Sequence, residues 1–195
     1  MRVCWIWVPL LLGSLSACSF DLSLGQSPGT GAPAPRCRMA EGQAAGQLVL
    51  MAQSVPSAQV LPCLRRLPEG WAVGGFNARR GRTRLWLTVG RENRTALNVF
   101  LQHRCDLHGY AEVQSEVPGT SRFDRLTSSG AVLRGNRAYV YAGSCLRYDY
   151  TLLDASALPA LTTAIGTLDR ADVAARVAQD SHGHLRLDPE PGRTS

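Results

Sequence analysis

Alternation of apolar and polar positions dominates the middle of the chain. Leu85, Leu87 and Val89 interleave with Trp86 and Thr88, and Leu97, Val99, Leu101 and His103 interleave with Asn98, Phe100 and Gln102. A period of two is that of a strand with one buried face, so both runs are predicted as strands. Leu146, Tyr148, Tyr150 and Leu152 repeat the pattern against Arg147, Asp149 and Thr151, while Gly135-Asn136 ahead of residues 137–142 reads as a turn and another strand. Ala78-Arg79-Arg80-Gly81-Arg82, following residues 72–77, suits a hairpin tip. Such one-sided alternation belongs to an antiparallel sheet with a single face in the main core.

Toward the C-terminus the period changes. Leu158, Leu161, Ile165 and Leu168 recur at three, four and three, with Pro159 near the first turn, which predicts a helix. Asp169-Arg170-Ala171-Asp172 reads as the capped start of a second helix, with Val173, Ala174, Val177 and Ala178 on one face. Upstream, residues 46–53 suit a short helix. Residues 55–68, interrupted by Pro56 and Pro62, read as turns with one helical turn at most. Strands followed by helices give the expected class, α+β: an antiparallel sheet with C-terminal helices packed on one face and, from the cysteines considered below, two disulfides.

The first residues form a different pattern. After Arg2 comes an apolar run over residues 3–12, then Gly13-Ser14-Leu15-Ser16-Ala17-Cys18. A helix over residues 3–17 reaches about 22 Å at roughly 1.5 Å per residue, short of the bilayer core of about 30 Å. A basic start, a short apolar stretch and small residues before a break mark an export signal that is removed. Leu15-Ser16-Ala17-Cys18 resembles the lipobox of bacterial lipoproteins. The resemblance implies cleavage before Cys18 and a diacylglycerol on its thiol, to which the two-chain rule for stable anchoring applies. The alternative is a secretory signal with an incidental cysteine.

The expected organisation is a lipoprotein signal at 1–17, a lipidated N-terminus and flexible Gly-, Pro- and Ser-rich linker at 18–36, one globular domain at 37–188 and a disordered tail at 189–195. Cys4 leaves with the signal and Cys18 takes lipid, so Cys37, Cys63, Cys105 and Cys145 remain. Four cysteines in an exported domain imply two disulfides, for which sequence allows three pairings. Cys37–Cys63 with Cys105–Cys145 is favoured, because the latter two sit at the end of one predicted strand and the start of another. No pair has the close spacing of a zinc site, so no metal and no cofactor is expected.

Charge adds a candidate surface. The formal charge of +6 falls to +5 when Arg2 leaves with the signal, and every strongly basic residue is arginine. Arg79, Arg80, Arg82 and Arg84 are its densest cluster. Beside a membrane their natural partner is an anionic headgroup or a wall polymer, and nucleic acid is not expected outside the cell. A solvated hairpin end is the plainer reading.

Other candidates are weaker. His103 with Asp106 and His108, and His182-Gly183-His184, are the histidine groupings that bear on metal binding, and each lacks further close ligands. Trp86, Phe100, Tyr139 and Tyr141 are either core or an aromatic face able to stack on a sugar, peptide or lipid. Asn93-Arg94-Thr95 matches a glycosylation sequon, taken as chance in a bacterial chain. Neither G-x-S-x-G, matched only by Gly25-Gln26-Ser27-Pro28-Gly29 in the linker, nor G-x-G-x-x-G stands in a strand-to-helix context, and the chain lacks S-x-x-K, H-E-x-x-H and a P-loop, so no catalytic residue is assigned.

Ala52-Gln53-Ser54-Val55-Pro56-Ser57-Ala58 leading to Pro62-Cys63, Leu67-Pro68-Glu69-Gly70-Trp71, and Gly143-Ser144-Cys145-Leu146-Arg147-Tyr148 resemble a group of exported proteins of actinobacteria. That resemblance brings no activity. The expectation is therefore an envelope lipoprotein on the extracytoplasmic side of the cell membrane, its domain a non-catalytic binding or scaffolding module with an envelope protein among its partners. An envelope hydrolase with a site assembled from distant residues and a lipid- or glycan-binding module are the alternatives.

Overall fold

The computed structural model describes residues 34–38 and 44–188. The predicted signal at 1–17, Cys18, most of the predicted linker and the predicted tail at 189–195 lie outside the described residues.

Among the described residues seven strands form one antiparallel sheet: β2 (Trp71–Arg79), β3 (Arg82–Val89), β4 (Arg94–Gln102), β5 (Ala111–Val113), β6 (Ser121–Ser129), β7 (Leu133–Tyr141) and β8 (Ser144–Leu152). Their spatial order is β2-β3-β4-β8-β7-β6-β5. The sheet thus consists of two meanders joined where β4 pairs with β8. Register sorts the side chains into two faces: Leu85 stands opposite Val99 and Val99 opposite Tyr148, while Arg84 stands opposite Phe100 and Phe100 opposite Arg147. Leu85, Leu87, Leu97, Val99, Leu101 and Leu146 are all buried on the first face. The second carries Arg82, Arg84, Trp86, Asn98, Phe100, Arg147 and Asp149.

A second layer covers the apolar face. Helix α1 (Ala44–Ser54) places Leu48, Met51 and Ala52 in the core and lies against β2 and β3. A two-stranded sheet of β1 (Val60–Leu64) and β9 (Ile165–Asp169), with helices α2 (Ala157–Ala164) and α3 (Arg170–Asp180), completes it. Leu61, Leu161, Ile165 and Val173 join the same core as the sheet leucines and tyrosines. The fold is α+β, with an antiparallel sheet, C-terminal helices and two disulfides. Among the described residues no helix is long and apolar enough to cross a membrane.

Two local readings are corrected. Residues 55–68 contain strand β1, and the helix predicted through Leu168 ends at Ala164, where Ile165 turns extended at φ −98° and ψ 115°. Both follow from one cause: β1 and β9 satisfy each other's backbone groups, and that pairing overrides the helical period of Leu161, Ile165 and Leu168. Ahead of Cys37, Pro35 is buried and its carbonyl accepts from Leu64 N at 2.6 Å. Strands β5 and β6 were not anticipated: Ser121–Ser129 is largely polar and only partly buried, so it lacks the alternation a core strand displays.

Both disulfides join the predicted partners. Cys37–Cys63 ties the entering segment to β1 with Cα atoms 4.9 Å apart, and Cys105–Cys145 ties the segment after β4 to the start of β8 at 5.7 Å. In the chain-entropy picture each stabilises the domain by about 3–4 kcal/mol. Gly143, in the turn between β7 and β8, has φ +74°, and a Cβ there would lie 2.3 Å from Ser57 O. The turn can therefore close onto the segment after α1 only with glycine.

Candidate functional site

The β2–β3 hairpin turns at Arg80-Gly81, which sets Arg79 directly opposite Arg82 and Asn77 opposite Arg84. Parity then puts Arg79, Arg82, Arg84 and Trp86 on the face away from the core, where Asn98 and Phe100 of β4 meet them. Asn77, Arg79, Arg82, Thr83, Arg84, Trp86 and Phe100 line a recess of about 390 Å³. Arg79, Arg80, Arg82 and Arg84 are exposed, and among the described residues none of the four enters an ion pair.

Contacts beneath the charges hold them in place. The Arg82 guanidinium carbon lies 4.2 Å from the Phe100 ring centroid and that of Arg147 4.8 Å from the same ring. Arg84 stacks on Trp86 at 5.0 Å and donates from Nε to Asn98 Oδ1 at 2.9 Å, so both of its terminal nitrogens remain available to an anion. Trp86 rests on Gly74-Gly75 of β2, where a Cβ on Gly75 would meet its Cζ2 at 2.2 Å. Arg147 differs from the others: it pairs with Asp149, which also accepts from Asn136. Carboxylates on this face thus belong to the half around β8 and β7.

The aromatic candidates divide. Trp86 is half-buried and Phe100 is 7 % exposed beneath its arginines, both on the outer face. Tyr139 and Tyr141 point to the core side. There Tyr139 donates to Glu116 and meets Tyr148 edge-on at 5.7 Å between centroids. Burial, helped by the bond to Glu116, pushes the Tyr139 phenol up to about 12.

The histidines do not converge. Asp106 accepts from the backbone N–H of His108, and among the described residues no group of three His, Cys, Asp or Glu stands close enough to hold a metal ion. His103 Nδ1 lies 2.8 Å from Ser57 Oγ and 3.3 Å from Gly143 O. The Gly143 carbonyl can only accept, so that contact calls for the proton on Nδ1, while the Ser57 hydroxyl suits either tautomer. The two contacts fasten the end of β4 to the segment after α1 and to the β7–β8 turn.

Comparison with known protein families, curated proteins and solved structures finds no match. The sequence reading named the arginines but missed Asn77, Asn98 and Arg147 as their neighbours. The signal available was parity: Arg82, Arg84 and Trp86 occupy alternate positions, as do Asn98 and Phe100.

Proposed function

We propose that this chain is an envelope lipoprotein, exported and tethered to the extracytoplasmic face of the membrane through lipid on Cys18. Its disulfide-braced domain is a non-catalytic binding module, and Arg79, Arg80, Arg82 and Arg84 take an anionic headgroup or wall polymer. The lipobox-like Leu15-Ser16-Ala17-Cys18 and an apolar stretch too short to span support the tether. Two disulfides fit an oxidising compartment.

One observation carries the binding reading. Arg79 and Arg82 face each other across the hairpin with no carboxylate between them. Like charges directly opposite destabilise an antiparallel pair, and a bound anion relieves that cost.

The tether is tested by mass spectrometry of the mature N-terminus: a diacylated Cys18 is expected, and an unmodified terminus refutes it. The recess is tested with the soluble Cys18→Ser variant on vesicles containing anionic lipid and on an anionic wall polymer. Each arginine near an anionic surface contributes about 1 kcal/mol, so R82Q/R84Q should weaken binding roughly thirtyfold at low salt. Equal binding by the double variant, or salt-independent binding, refutes the recess.

A further inference from the structure

A second cleft, of about 360 Å³, lies on the other side of the large sheet, where β7 and β8 meet α2 and β9. It falls in the size range of small-molecule sites, about 300–1,000 Å³. Its lining includes Tyr139, Tyr141 and Tyr148, together with two charges of opposite sign, Glu116 and Arg65.

Those charges share the cleft without meeting. Glu116 accepts from Tyr139 through one oxygen and from Arg122 at 3.0 Å through the other, but makes no ion pair with Arg65. Its own backbone N–H is a third donor, and since a carboxylate has about four lone-pair positions, about one remains for a ligand. Partial burial works to raise its pKa, yet the bonds from Tyr139, its own backbone N–H and Arg122 outweigh that and hold it below the usual carboxylate value, so it is ionised at neutral pH. Arg65 enters no ion pair among the described residues and lies against Gly166, where a Cβ would come within 2.8 Å of its Nε. Glycine at 166 thus leaves room for the guanidinium to lie across β9 at the cleft. Burial raises the phenols of Tyr139, Tyr141 and Tyr148, so all three keep their protons and present aromatic surface with neutral hydroxyls.

We propose that this cleft binds a zwitterion of amino-acid to dipeptide size, with its carboxylate on Arg65, its ammonium group on Glu116 and its body against the tyrosine rings. Guanidinium matches carboxylate geometrically, and an ammonium group between a carboxylate and aromatic rings gains from both. A simple anion would engage Arg65 alone and a simple cation the Glu116 carboxylate alone, whereas a zwitterion engages both. The site stands apart from the arginine recess and does not depend on it.

The test is an NMR titration of the full-length protein in detergent micelles with alanyl-alanine, following the tyrosine ring resonances. Saturable shifts of the three cleft tyrosines are expected, with the N-acetylated and the C-amidated dipeptides each binding at least about tenfold more weakly. R65Q should abolish the preference for a free carboxylate and E116Q the preference for a free amine, while R82Q/R84Q binds the dipeptide unchanged. No saturable shift up to about 10 mM dipeptide, or equal binding of the blocked and free peptides, overturns the proposal. Comparing the three peptides on the unaltered protein decides the matter even if a cleft variant fails to fold.

Discussion

The Arg82 guanidinium lies 4.2 Å from the centroid of the Phe100 ring, directly above a residue that is itself almost fully buried by its neighbours. The ring is a platform that keeps an unpaired cation upright on the sheet. Replacing it with leucine preserves apolar volume but removes the stacking of both Arg82 and Arg147. At about 0.5–1 kcal/mol per exposed cation–π contact, F100L should weaken anion binding by roughly five- to thirtyfold. Vesicle co-sedimentation of the Cys18→Ser form measures this, with thermal melts checking that the fold persists.

Gly75 offers a sharper steric test. A methyl group there collides with the Trp86 indole, so G75A should displace the ring and destabilise the domain by about 1–3 kcal/mol, the usual cost of overpacking. A fall in melting temperature of roughly 2–4 °C per kcal/mol, with a red shift in tryptophan emission, is the expected outcome.

Cys105–Cys145 closes a separation of 40 residues and pins the segment after β4 to β8. C105S/C145S should therefore lose about 3–4 kcal/mol on denaturant unfolding, read as a lower midpoint with the dipeptide cleft still intact.

Acid and alkali should both loosen the half of the sheet built on β6 and β7. Burial works to raise the Asp124 pKa, but hydrogen bonds from Arg122 and Arg137 outweigh it and hold it below its usual 3.8; Glu116 is likewise below 4.5. A depressed acid contributes stability that is complete above its unfolded value and is lost as pH falls through the folded one. Urea midpoints should therefore drop as pH falls below about 4.5, and D124N should flatten that slope. Tyr139 works in the opposite direction: its phenol is pushed from 10.0 to about 12, so its contribution is complete below pH 10.0 and disappears as pH rises toward 12. Y139F should remove that alkaline component.

Legibility varied with how much core each element touches. Leu97, Val99 and Leu101, or Leu146 and Tyr148, face a continuous apolar layer, and their alternation announced it. Ser121–Ser129 borders that layer only in part and carries the Arg122–Asp124–Arg137 ion pairs instead, so its sequence resembles a loop. At the outer face, Arg79, Arg80, Arg82 and Arg84 were visible as a charged tip because they are neighbours in the chain. Their platform was not, because Phe100 and Arg147 reach it from two other strands.

The sequence by itself determined which residues have an apolar period, where turns fall, which cysteines are available and where positive charge is densest, since each is a property of near neighbours along the chain. Tertiary structure alone decided that Ile165 leaves its helix to pair with β1, that Arg82 and Arg147 share the Phe100 ring, and that Arg65 shares a cleft with Glu116. These depend on strand register and on which backbone groups find partners, and both are settled only when segments distant in sequence compete for the same hydrogen bonds and the same core.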